Sequence, residues 1–309
     1  MKHFVNLKDI PVRDLRKILH DAKKRKKKRS KLNTLLPDKD VPLKGKLLIQ
    51  MFEKSSLRTR LSFHLAIKQL GGGTLTLRSN ELHLGEGGET IEDTAKILSV
   101  FGDGFMLRTD SDEKIINFKK YLSIPIINGL SPSSHPTQVL SDIFTVEELK
   151  KKPISKLNIT WIGDSNNVLN SLIVASVKFS FQLNIGCPKK YKPKKFILEW
   201  VKSKNKKVNI FYDAKKAVKN ADVIFSDKVI SLNDQVNKKN KIKEFKNFKI
   251  NKNLMRFTKK NCTFLHCLPR GGEVEEEVFK SKNSKVWLQA LNRVHVQKSI
   301  LLYTFDKLR

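Results

Sequence analysis

Short apolar runs of strand length alternate with segments of helical period along the whole chain. That alternation limits the fold more than any other feature of the 309 residues. Strands joined through helices pair in parallel, because a parallel neighbour needs a long crossover connection. In the first half the spacing predicts strands at 46–52, 74–77, 104–107 and 125–127. Helical stretches fall between them at 57–70, 90–101 and 112–122, and another begins near Thr137. The second half repeats the pattern, with strands at 158–162, 182–185, 208–211, 222–225 and 263–266 and helices at 167–180, 194–203, 213–219 and 274–280. The expected fold class is α/β with parallel sheets.

A chain of this length exceeds what one core usually absorbs, so two domains are expected. The polar, proline-marked stretch Lys150-Lys151-Lys152-Pro153 is the best boundary. The expected division is 1–149 and 150–290, with 291–309 a C-terminal helix that packs back on the first domain. Residues 233–253 carry many Lys and Asn and few apolar anchors, which predicts a mobile loop or a short exposed helix.

Charge raises the question of partners. Lys and Arg number 62 against 30 Asp and Glu, a formal charge of +32. The basic residues are mostly Lys and are spread through every segment, so nucleic acid is not an expected partner. The one dense run, Lys23 to Lys31, follows an amphipathic stretch (Leu15, Ile18, Leu19, Ala22) and reads as a solvated helix end. Excess positive charge also draws in anions from a distance. No apolar run approaches the roughly 20 residues of a membrane helix, and no apolar signal core opens the chain, so a cytoplasmic protein is expected. Cys187, Cys262 and Cys267 show neither a disulfide framework nor a zinc spacing, and no metal or cofactor is expected.

Polar residues gather where ligands of α/β sheets bind, at strand ends. Phe52-Glu53-Lys54-Ser55-Ser56-Leu57-Arg58-Thr59-Arg60 lies between a strand and an amphipathic helix. A helix N-terminus offers free N–H groups and a positive dipole end to a phosphate. Ser56 and Thr59 add hydroxyls, and Arg58 can hold two phosphate oxygens. Ordinary N-capping by Ser55 or Ser56, with solvated arginines, explains the same residues equally well. Arg108 closes another strand, His135-Pro136-Thr137-Gln138 opens a helix, and His266-Cys267-Leu268-Pro269 closes the strand from Thr263. Any one of these histidines alone suits a structural role.

Together these segments resemble the aspartate/ornithine carbamoyltransferase family, and its ornithine branch in particular. The family's Ser-Thr-Arg-Thr-Arg appears as Ser56-Leu57-Arg58-Thr59-Arg60, His-Pro-x-Gln as 135–138 with Leu140 and Asp142 following, and His-Cys-Leu-Pro as 266–269. Gly163-Asp164-Ser165-Asn166-Asn167-Val168 resembles the family's Gly-Asp-x-Asn-Asn loop, and Asn292-Arg293 resembles the Asn-Arg of its last helix. The resemblance covers nearly the whole chain in the expected order. It implies two Rossmann-like domains joined by interdomain helices, and a homotrimer acting on carbamoyl phosphate and L-ornithine.

The resemblance also implies roles. Ser56, Leu57 through its backbone, Arg58, Thr59, Arg108 and Asn80 would hold the phosphate. His135 and Arg293 would contact the carbamoyl oxygen, while Gln138 and the carbonyls of Cys267 and Leu268 would orient the carbamoyl NH2. Asn167, Asp227, Ser231 and the backbone at Leu232 would grip the amino-acid end of ornithine. Cys267 needs no covalent role. Two departures bear on substrate: Leu57 replaces a threonine, as in the acylornithine branch, and the closing loop reads Asp227-Lys228-Val229-Ile230-Ser231-Leu232-Asn233 where Trp, Met and Gly are usual. An N-acylornithine acceptor, or a silent paralogue serving as scaffold or nucleic-acid binder, are the competing readings.

Overall fold

The computed structural model describes residues 1–29, 32–78, 88–230 and 237–308. The chain divides into two compact units: Met1–Phe144 with Leu291–Arg309, and Thr145–Ala290.

Unit 1 carries a four-stranded sheet of β1 (Leu47–Phe52), β2 (Gly73–Arg78), β3 (Gly104–Arg108) and β4 (Ile126–Leu130), in the order β2-β1-β3-β4. All pairings are parallel. Between the strands run α2 (Leu57–Gln69), α3 (Ile91–Phe101) and α4 (Asp112–Tyr121), preceded by α1 (Val12–Lys28) and followed by α5 (Pro136–Lys150). Alternation along β1 and β3 sends Ile49, Met51, Phe105 and Leu107 to one face. There they bury Ala95 and Leu98 of α3 and Ile115 and Phe118 of α4. Fully burying side chains of this size is worth about 1.5–3 kcal/mol each.

Unit 2 repeats the plan. β5 (Asn158–Ile162), β6 (Gln182–Gly186), β7 (Asn209–Phe211), β8 (Val223–Ser226) and β9 (Thr263–His266) pair in parallel in the order β7-β6-β5-β8-β9. Its helices are α6 (Asn167–Phe179), α7 (Lys195–Ser203), α8 (Ala214–Val218), α9 (Lys238–Phe245), α10 (Lys252–Met255) and α11 (Glu276–Phe279). The last helix, α12 (Val286–Thr304), begins in unit 2 and ends in unit 1. In each sheet the strand order reverses beside the first strand, between β1 and β3 and between β5 and β8. Ligands of open α/β sheets collect outside the strand ends at such points.

Two expectations need correction. The basic run at the end of α1 is only partly solvated. Arg25 pairs with Asp21 (3.1 Å), Asp38 (3.1 Å) and Asp40 (2.8 Å), Arg29 is buried against Asp38 (2.9 Å), and Lys26 donates to Asn292 (2.8 Å). These three lie where the helix meets the 38–40 turn and α12, while Lys24, Lys27 and Lys28 face water. The second concerns residues 237–253, where α9 is the short, largely exposed helix that is one of the two expected alternatives, but the segment is anchored in the core. Phe245, Phe248 and Ile250, with Leu254 just beyond, enter the core of unit 2. Lys241 is buried on an ion pair with Asp164 (2.5 Å). Four well-spaced apolar side chains anchored a segment whose average composition hid them. Residues 233–236 lie outside the described residues.

Candidate active site

The residues expected at a phosphate lie in unit 1, on the loops after β1 and β3, the start of α5, and α12. Ser56 occupies the N-cap position of α2, yet its side chain makes no capping hydrogen bond. Ordinary capping therefore does not account for this serine, and a helix N-terminus directs its first N–H groups at an anion. Leu57 is 69% exposed, so what it offers is its backbone N–H.

Glu53 ties the β1 loop to the β3 loop. Its backbone N–H donates to the Arg108 carbonyl (3.0 Å), and its carboxylate accepts from the Thr109 hydroxyl and pairs with Lys114 (2.7 Å). Arg108 emerges where the β3–β4 register shifts, and its Nε is buried with no hydrogen-bond partner among the described residues. Burial and the neighbouring Arg58 charge push the Arg108 guanidinium down from 12.5 to about 10.

His135 is 5% exposed and sits just before Pro136, the first residue of α5. Asn128 of β4 holds the preceding turn through Ser134 (3.0 Å). Burial, followed by the charges of Arg293, Arg108 and Arg58, keeps this imidazole well below its usual 6.5. At neutral pH it is a neutral ring with one N–H to donate.

Arg293 of α12 is buried beside it. Its Nη1 donates to Gln138 Oε1 (2.9 Å) and its Nη2 to Thr59 Oγ1 (2.8 Å). Since Thr59 accepts from Arg293, its own proton is free to point at a phosphate oxygen. α12 is fixed on the 38–40 turn and on α1, with Lys298 on both Asp38 oxygens (3.0 and 2.9 Å) and Ser299 on Asp21 of α1 (2.7 Å).

Unit 2 builds a second polar centre at its own switch point. Gly163, at φ 145°, ends β5 in a conformation that a side chain would strain. Asn166 caps α6 by accepting from Val168 and Leu169 (both 3.0 Å), and its amide donates to Asp227 Oδ2 (2.7 Å). Burial raises the Asp227 carboxyl above 3.8, opposed by His266, by the Lys228 N–H and by Asn166.

Beside it, His266 Nε2 faces Glu273 (3.0 Å) while Nδ1 takes the Leu268 N–H (2.9 Å). Those partners select the Nε2–H tautomer. Burial pushes Glu273 up, but the bonds from His266 and the Gly271 N–H outweigh it and hold the carboxyl below 4.5. Leu268 is held at φ 55°, and the Cys267 N–H donates to Ser226 O (3.3 Å). Cys187, Cys262 and Cys267 are free thiols.

Comparison with known proteins now decides the family. Residues 2–148 match the carbamoyl-P binding domain of aspartate/ornithine carbamoyltransferase, and residues 155–304 match its Asp/Orn binding domain. The chain belongs to the aspartate/ornithine carbamoyltransferase family. Its similar relatives include an ornithine carbamoyltransferase of Rhizorhabdus wittichii, 38% identical over 99% of both chains. One from Nitrobacter winogradskyi is 40% identical over 98% of this chain and 96% of its own. Among solved structures, the ornithine carbamoyltransferase of Pyrococcus furiosus superposes with a TM-score of 0.91 at 36% identity, over 99% of this chain and 97% of that one.

Within this carbamoyltransferase chain, Ser56, Arg58, Thr59, Arg108, His135, Gln138 and Arg293 all lie in unit 1. Asn167, Asp227, Cys267 and Leu268 lie in unit 2. Asn80, Ser231 and Leu232 lie outside the described residues. The motif reading assigned no roles to Glu53, Asn166 and Glu273. Each is a polar residue within or beside a signature, and position was the only signal available.

Proposed function

We propose that the chain transfers the carbamoyl group of carbamoyl phosphate to the δ-amine of L-ornithine, giving L-citrulline and phosphate, as a step of arginine biosynthesis. The observation that carries this is the neutral, buried His135 set among Arg58, Arg108 and Arg293 beside the open N-terminus of α2. Such a cluster suits a dianion joined to a polarisable carbonyl. Ser56, Arg58, Thr59, Arg108 and the N–H of Leu57 hold the phosphate, with Asn80 beside them. His135 and Arg293 meet the carbamoyl oxygen as it gains negative charge. Gln138 and the Cys267 and Leu268 carbonyls take the carbamoyl NH2.

The acceptor enters as a neutral amine, although free alkylamines keep their proton up to a pKa of about 10.4. Its nitrogen bonds to the carbamoyl carbon, the carbon–oxygen bond to phosphate breaks, and the departing phosphate takes the amine proton. No side-chain base is required. Asn167, Asp227, Ser231 and Leu232 hold the α-ammonium and carboxylate. An ammonium docked on Asp227 offsets the desolvation that raises its carboxyl.

The assembly is a cytoplasmic homotrimer. Supporting it are apolar side chains exposed on unit 1, namely Leu57 and Leu61 on α2 and Ile97, Val100 and Phe101 on α3. Sedimentation of the wild type, and of Phe101→Asp as a dissociating variant, tests the trimer. The reaction is tested by product formation from carbamoyl phosphate with L-ornithine, N-acetylornithine, N-succinylornithine, putrescine and aspartate. Preference for ornithine is expected. Turnover of an acylated acceptor alone would move the chain to the branch that Leu57 resembles, and silence with all five from a folded trimer would overturn the enzymatic reading.

A further inference from the structure

We propose that Asp142 is a positioning residue that sets which end of the Gln138 side chain faces the carbamoyl group. This rests on the reading of Gln138 as the amide that orients the carbamoyl NH2. Asp142 lies one turn after Gln138 on α5 and is 1% exposed. Gln138 Nε2 donates to Asp142 Oδ1 (2.8 Å), and Gln138 Oε1 accepts from Arg293 Nη1 (2.9 Å). Arg293 in turn donates to Thr59. Gln138, Arg293 and Thr59 are likewise buried, so water has little access to substitute for a lost partner.

An ionised carboxylate only accepts hydrogen bonds, and a guanidinium only donates them. An amide between the two has one satisfied orientation. Flipping it would face N–H against N–H at Arg293 and oxygen against oxygen at Asp142. The locked orientation leaves the second lone pair of Gln138 Oε1 to accept from a substrate NH2.

The test compares two anions. Inorganic phosphate probes the phosphate end alone, and phosphonoacetamide (a non-reacting analogue of carbamoyl phosphate) adds the terminal amide. Affinities are measured by calorimetry for the wild type, for Asp142→Asn and for Asp142→Leu. In the wild type phosphonoacetamide binds more tightly than phosphate. Asp142→Asn keeps shape but also offers a donor, and it weakens phosphonoacetamide about 3–10-fold. Asp142→Leu weakens it about 10–100-fold, and phosphate affinity stays within about twofold in both variants.

Equal loss for both anions would make Asp142 a structural residue and overturn the proposal, as would unchanged phosphonoacetamide binding in both variants. Should Asp142→Leu not fold, the isosteric Asp142→Asn carries the comparison alone. A wild type that binds the two anions equally would refute the carbamoyl assignment of the site itself, which is a separate failure.

Discussion

Replacing Arg108 with methionine keeps the aliphatic stem and removes a charge that the fold does not favour. The guanidinium is pushed from 12.5 to about 10 by burial and by Arg58. A shift of that size corresponds to roughly 3 kcal/mol against the charged form. Residual solvent access discounts it to about 1–2 kcal/mol. Because the folded form binds its proton less tightly than the unfolded chain, the penalty is fully present at neutral pH and fades only as pH rises past about 10. Arg108→Met is therefore expected to raise the melting temperature of the ligand-free protein by about 2–8 °C, at 2–4 °C per kcal/mol for large domains. The same change removes charge-assisted bonds to phosphate, worth about 2–4 kcal/mol or roughly 30-fold to 10^3-fold in kcat/KM. The assay pairs initial rates of carbamoyl transfer with thermal melts taken with and without inorganic phosphate. Phosphate should stabilise the wild type and leave the variant's melting point unmoved. A lower ligand-free melting temperature, or full phosphate stabilisation in Arg108→Met, would refute the claim that the site stores unfavourable charge for its ligand.

Arg58→Ala should lower kcat/KM by about 30-fold to 10^3-fold for the same reason, with the far-UV spectrum unchanged; wild-type turnover would remove Arg58 from the phosphate site. His135 is held well below 6.5, so its ring should stay neutral as pH falls to 6.5, and a pH titration followed by NMR should show no imidazole midpoint from it near 6.5. The sign for stability follows: below pH 6.5 the unfolded chain gains a proton that the fold refuses, so stability falls with acid. Asp38→Ala leaves Lys298, Arg25 and Arg29 without their shared carboxylate and should cost about 3–5 kcal/mol in chemical denaturation; a loss under about 1 kcal/mol would show that the cluster relaxes into solvent.

The strands were the most legible part of the sequence, because a period of two interrupted by a helical crossover leaves few alternatives. Asn158–Ile162 and Thr263–His266 stand where the apolar runs put them. The anchoring of α9 was not legible, because Lys and Asn dominate it and its burial depends on single anchors such as Phe245 that matter only once packed. The inward turn of Arg25 and Arg29 was hidden for a related reason. A basic run looks solvated until a carboxylate from another loop, here Asp38, is brought beside it. In the site, signatures located His135, Arg58 and Arg293, whereas the supporting bonds of Glu273 to His266 and of Asn166 to Asp227 join residues 7 and 61 positions apart. Such pairings come from backbone geometry, which no residue spacing encodes.

The return of α12 to unit 1 has a consequence for synthesis. Unit 1 is a host interrupted by a guest of 146 residues, Thr145 to Ala290, and residues 291–309 of the host are made only after that guest. At about 5–20 residues per second, translating the guest takes roughly 7–30 seconds. During that interval Asp38 and Asp21 lack Lys298 and Ser299, and the apolar seat filled by Ile300, Leu301 and Leu302 stands open. The nascent host can acquire its sheet but neither its stability nor Arg293. A ribosome that stops short of residue 291 therefore releases a first unit that lacks Arg293 and the buried side chains of α12.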